Sequence, residues 1–245
     1  MTGPANGTGR GTGGGFGAGF GADVAAVVAI ARKDLLQEVR SRAVTVATLF
    51  FSAVTLVMMA FAMGQDAELL RRSAPGVLWV ALAFAGVITA AQSYQSDLEE
   101  GAFDQLLLYP VPRAAVFLGK LLANWLFMLV LGLLMTPVTL VLYGAPAGPA
   151  AWLLPVTLTL GTLGFAVVAT FYAALTANLQ AREALLPVLM FPVVVPVLLG
   201  AVRSSEALIG LQNPVLAGAW LQLLGAFDLV YFVACTAIFH LVVEE

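Results

Sequence analysis

Six apolar runs of roughly twenty residues alternate with short polar stretches along the chain: Ala43–Met63, Pro75–Ser93, Leu121–Tyr143, Trp152–Leu175, Leu185–Val202 and Leu223–Val243. A helix needs about 20 apolar residues to cross the hydrocarbon of a bilayer. Each run therefore predicts one span, and the expected fold class is an all-α integral membrane protein with six transmembrane helices. Ahead of the first run, Val24, Val27, Val28, Ala31, Leu35 and Val39 recur at helical spacing, with Arg32, Lys33, Asp34, Glu38 and Arg40 between them. This pattern predicts an N-terminal interfacial amphipathic helix over residues 23–42. Residues 1–22 hold nearly half of the chain's 24 glycines and read as a disordered tail. The Gly9–Gly14 match to a dinucleotide-binding pattern follows no strand and is read as chance.

The break between the second and third runs is the most unusual stretch. Four acids, Asp97, Glu99, Glu100 and Asp104, fall within eight positions of a chain that is only 10% charged. Unpaired charges are costly in lipid, so residues 97–113 are expected outside the hydrocarbon. Gly101 permits a sharp turn there. Phe103, Leu106 and Leu107 can share one helical face opposite Asp104 and Gln105, until Pro110 and Pro112 stop the helix before Arg113. The expected element is a short helix lying crosswise at the membrane surface, a place for force from a partner to enter the bilayer.

Other polar positions leave two readings each. Thr45, Thr48, Ser52 and Thr55 share one face of the first span, either for helix packing or to line a substrate path. Pro187, Pro192 and Pro196 break the fifth span, either beside a moving cavity or at a static kink. Asp228, expected near the outer end of the last span, either relays protons or meets a substrate, or simply reaches water. His240 is either a haem ligand or an interfacial side chain. Gly64–Ala74 is expected as a loop, Trp125 as a headgroup-level aromatic, and Ser204–Gln222 as a short helix on the outer surface.

Composition narrows the function classes. The chain of 245 residues is 61% hydrophobic, with mean hydropathy +0.97, and leaves no extramembrane segment large enough for an enzyme core. One cysteine and one histidine give no metal cluster. Gly119-Lys120 lacks the rest of a phosphate-binding loop, so ATP would have to be handled by another chain. Its 11 basic residues form no patch for nucleic acid. Arg10, Arg32, Lys33, Arg40, Arg42, Arg113, Lys120 and Arg182 would lie on the side of the termini, against Arg71, Arg72 and Arg203 on the other. That bias predicts cytoplasmic termini and a cytoplasmic acidic segment.

Six spans, an N-terminal interfacial helix and an acid-Gly-Leu-Leu-Pro loop after the second span resemble the permeases of ABC-2-type (type V) exporters. More narrowly, Tyr94-x-x-Asp97-x-x-Glu100-Gly101-Ala-Phe-Asp104-Gln105-Leu106 is similar to the Phe-x-x-Asp-x-x-Asp-Gly-Ser-Leu-Glu-Gln-Leu motif of haem exporter permease B (CcmB-type) proteins of cytochrome c maturation. Leu118–Trp125 and Pro187–Pro196 look like that family's third and fifth spans. The likeness covers about residues 24–245. It implies a bacterial inner-membrane permease, not an enzyme, working with a cytoplasmic ABC ATPase that uses ATP, a haem-handling membrane protein, a small membrane subunit and a periplasmic haem chaperone, with haem as cargo and a homodimer in the complex. It assigns ATPase docking to Asp97, Glu99, Glu100, Gly101, Asp104, Gln105, Leu106, Leu107, Pro110 and Arg113. An ABC-2 permease for a lipid or drug, and a non-transporting scaffold for chaperone release, are the alternatives; Thr48, Ser52, Thr55, Pro192, Pro196 and Asp228 are the candidates for a cavity or packing face.

Overall fold

The computed structural model of the chain describes residues 15–41, 43–99, 113–177, 179 and 182–242. Among the described residues seven α-helices follow one another: α1 (Gly15–Ser41), α2 (Ala43–Ala62), α3 (Ala67–Glu99), α4 (Arg113–Leu142), α5 (Leu154–Thr176), α6 (Arg182–Leu208) and α7 (Val215–Val242). A single 3₁₀ turn, Ala151–Leu153, precedes α5. Six of them, α2 to α7, are long and apolar enough to cross a membrane, as the hydrophobic runs predict. No strand occurs among the described residues.

Helix ends are fixed by local signals, and several differ from the expected boundaries. Asp66 accepts hydrogen bonds from the Glu68 and Leu69 amides at 3.0 and 3.1 Å. It therefore caps α3 eight residues before the apolar run begins, so Ala67–Ala74 is helix rather than loop. Gly210, at φ +88°, ends α6: its amide bonds Ala207 O and the Leu211 amide bonds Glu206 O at 3.0 Å. Asn213 then accepts the Val215 amide at 3.1 Å and Pro214 opens α7. Ser204–Gln222 is thus split between two spans and the turn joining them, not a separate surface helix. Likewise α1 begins at Gly15, inside the stretch expected as a tail, where Phe16 and Phe20 extend the helical spacing. The first fourteen residues lie outside the described ones. Helix α6 runs unbroken through all three prolines.

Most of α3 and α5 is buried within the bundle, whereas little of α2 and α7 is. The core joins Trp79 and Leu82 of α3, Phe117 and Met128 of α4, Phe165 of α5, and Met190 and Val197 of α6. Glycines let these helices approach closely. A Cβ on Gly161 of α5 would lie 2.3 Å from the Trp79 ring, and one on Gly119 of α4 would lie 2.7 Å from Ile30 of α1. The second contact seats α1 against the start of α4. At the end of the bundle remote from α1, Trp79 Nε1 donates to Ser205 Oγ at 3.1 Å, and Thr157 and Ser204 hydroxyls pair at 2.9 Å.

Candidate functional site

The root of the acidic segment is a buried charge cluster. Helix α3 has 33 residues, so it is about 50 Å long and exceeds a hydrocarbon thickness of roughly 30 Å. Its last turns carry Ser93, Tyr94 and Asp97 on one face, because positions three and four apart adjoin on a helix. Helix α1 supplies Lys33 and Asp34, and α4 supplies Lys120 one residue beyond the close contact at Gly119.

Asp97 bridges two lysines. Its Oδ1 lies 2.5 Å from Lys33 Nζ and its Oδ2 lies 2.5 Å from Lys120 Nζ. Lys120 is fully buried; its ammonium also lies 3.2 Å from Asp34 Oδ2, 2.9 Å from the Ser93 carbonyl oxygen and 3.1 Å from Ser93 Oγ. Ser93 Oγ donates to Asp34 Oδ2 at 3.0 Å, and the Tyr94 ring covers the ammonium at 4.8 Å. Two cations and two anions from three helices thus neutralise one another where water is scarce. Burial alone would lower the Lys33 pKa, but Asp97 and Asp34 override it and hold the ammonium above the ordinary lysine value.

Asp97 was expected in the coupling loop over residues 97–113. It is instead a buried, paired residue in the last turns of α3. Glu99 is the final residue of α3, and Arg113 the first of α4. Glu100, Gly101, Asp104, Gln105, Leu106, Leu107 and Pro110 lie outside the described residues, and with them the expected crosswise helix. Sequence reading missed Lys33 and Lys120 as partners of Asp97, and Asp34 and Ser93 as partners of Lys120. One signal was present: Lys120 stands alone in the apolar run Phe117–Leu122, and a lone intramembrane cation calls for a buried anion.

One turn deeper, Asn124 joins three helices. It accepts from Thr89 Oγ1 at 2.9 Å and donates to Thr170 Oγ1 at 3.2 Å. Trp125 is not a headgroup residue: its Nε1 donates to the Thr159 carbonyl of α5 at 3.1 Å. Next to the charge cluster, α1, α3 and α4 enclose a cleft of about 310 Å³ whose walls include Asp34, Glu38, Arg40, Gln92, Asn124 and Phe127.

The remaining candidates do not gather around this cleft. Thr48 and Ser52 are fully buried, and Ser52 and Thr55 donate back to the α2 carbonyls of Thr48 and Phe51 at 2.8 Å. Pro192 and Pro196 lie within α6, where Tyr231 of α7 donates to the Val193 carbonyl at 2.8 Å. Asp228 is not near a helix end. It sits midway along α7, is 5% exposed, and has no hydrogen-bond partner among the described residues. A Cβ on Gly164 of α5 would lie 2.2 Å from its Oδ1, so the carboxyl fills a glycine notch.

A model of the family described as CcmB protein matches residues 25–243. This chain belongs to the CcmB family. The match runs from α1 through α7 and so takes in the helices that hold the charge cluster. Curated CcmB-family relatives named "Heme exporter protein B" are similar across most of the chain. That of Pseudomonas aeruginosa is 35% identical over 160 residues, covering 64% of this chain and 71% of the relative. That of Bradyrhizobium diazoefficiens is 30% identical over 208 residues, covering 85% and 92%. That of Escherichia coli K12 is 30% identical over 201 residues, covering 80% and 88%.

Proposed function

We propose that this chain is the membrane permease subunit of an ABC-type haem exporter complex serving c-type cytochrome biogenesis. The observation that carries the reading is the family match from 25 to 243, because relatives similar over most of the chain bear the name of a haem exporter subunit. In this reading a separate cytoplasmic ATPase grips residues 100–112, both termini face the cytoplasm of a bacterial inner membrane, and ATP hydrolysis drives haem delivery or release of a haem-loaded periplasmic chaperone. The geometry supplies a route for force. Asp97 stands three residues before that segment and is tied to α1 through Lys33 and to α4 through Lys120. A pull on the segment therefore moves three helices together instead of bending one.

The test is co-purification of an ABC ATPase with the full-length chain, in parallel with c-type cytochrome maturation in cells. Gly101→Trp is expected to lose the ATPase and maturation together while the protein still inserts. Retention of the ATPase by that variant, or nucleotide hydrolysis by the isolated chain, would overturn the reading.

A further inference from the structure

We propose that Asp228 is a proton-binding site at the centre of the membrane, its carboxyl held as the neutral acid where α5, α6 and α7 meet. The inference uses the six-span membrane fold and depends neither on the cargo nor on the ATPase.

The carboxyl is buried far from either membrane surface. Asp228 lies midway along α7, about 20 Å from each helix end, and is 5% exposed. Both of its oxygens are buried and have no hydrogen-bond partner among the described residues. The Cβ that Gly164 of α5 lacks would lie 2.2 Å from Asp228 Oδ1 and 3.1 Å from Val197 Cγ1 of α6. The carboxyl therefore points into the space that a missing methyl leaves between three helices.

The helices packed against α7 keep their charges away from this point. Helix α5 carries no acidic or basic residue, and its Tyr172 is eight positions from Gly164. On α6, Arg203 and Glu206 stand six and nine positions beyond Val197 and pair with each other at 2.9 Å, while Arg182 and Glu183 lie at the opposite end. Helix α4 meets α7 where Phe117 stacks on Phe239, and its cations lie at that end: Arg113 opens the helix, and Lys120 is held by Asp97 and Asp34. On α7 itself Cys235 is seven positions on and His240 twelve. No cation is at hand for a carboxylate, and an isolated charge in an apolar interior is so costly that the group takes up a proton instead.

The surroundings also suit the donor that the proton creates. A protonated carboxyl has one O–H to give, whereas a carboxylate only accepts. Helix α6 presents acceptors here. Pro196 has no N–H, so the Pro192 carbonyl lacks its helical donor. The next carbonyl, that of Val193, accepts the Tyr231 hydroxyl at 2.8 Å. Tyr231 and Asp228 are three residues apart and share a face of α7, so the acid is a second donor beside the first. A metal ion fits less well. Among the described residues no three potential ligands gather, and one carboxylate supplies few of the about six oxygens that a hard cation takes.

Infrared spectroscopy of the full chain in phospholipid vesicles, with carbon-13 in aspartate alone, tests this. The carbonyl stretch of a carboxylic acid stands apart from the carboxylate and amide bands, and labelling aspartate keeps every glutamate out of the signal. One label-sensitive carboxylic-acid band is expected at neutral pH, and Asp228→Asn should abolish it entirely. Thermal melts establish that the variant is folded. Should it fail to fold, Asp228→Glu decides, because it keeps an acid at the site but takes it out of the labelled set, so the labelled band should vanish there too. Absence of an acid band from the unaltered chain, or its survival in either variant, would overturn the proposal. A labelled carboxylate band that shifts on adding sodium or calcium and is lost in Asp228→Asn would assign a cation to the site and overturn it equally.

Discussion

Two buried acids in this protein live in opposite surroundings. Asp97 has two lysines within 2.5 Å, and those lysines reach a second carboxylate. Asp228, about as deeply buried, meets a glycine notch, and its oxygens have no hydrogen-bond partner among the described residues. The first region ties three helices at the end of the bundle. The second is a packing contact between α5 and α7 that places a carboxyl where one apolar group would fit. Burial of an acid therefore says little by itself; the neighbours decide whether removing it breaks a network or merely reshapes a surface. Buried ion pairs are weak sources of net stability, yet removing one partner strands the others.

The largest effect is expected at Lys120. Lys120→Met leaves Asp97 and Asp34 facing each other with only Lys33 between them, and should cost about 3–5 kcal/mol. Denaturation in micelles measures it, and a loss below about 1 kcal/mol would show that water, not Lys120, neutralises the cluster. Next comes the glycine notch. Gly164→Leu forces α5 and α7 apart and should cost about 1–3 kcal/mol, whereas Gly218→Leu meets open space and should be nearly neutral. Equal effects of the two would refute the notch. Smaller still, Asp228→Asn keeps the side-chain shape and should change stability by less than about 1 kcal/mol; Asp97→Asn, which unbalances two lysines, should cost more. The reverse ranking would dissolve the contrast between the two regions.

The smallest expected effect concerns pH. The Lys33 pKa is raised above its ordinary value of 10.5, so its contribution is complete below that value and fades only as pH climbs through the higher folded one. Melts between pH 7 and 9 should show no decline attributable to Lys33. A decline in that range that Lys33→Met abolishes would contradict the pairing with Asp97.

Much of the fold was legible in residue order. The six apolar runs fix the spans, since only a helix of that length satisfies its own backbone in hydrocarbon. Asp66, Gly210 and Asn213-Pro214 even carried the helix boundaries, though hydropathy alone set those boundaries too far inside, because a cap is a single side chain and not a run. The site was half legible. The acidic segment and its family likeness drew the eye to Asp97, but as part of a loop that docks a partner, and Asp228 was set too near a helix end because α7 was begun eight residues late.

What the sequence by itself determined is the membrane class, the number of spans and the family, all of which follow from local hydropathy and residue order. Only the tertiary structure decided which charges meet. Lys33, Asp97 and Lys120 are separated by 64 and 23 positions, and no periodicity within one helix relates them. Their pairing is set by the close seat of α1 against Gly119 of α4 and by the length of α3, and those are properties of how helices pack, not of any single stretch.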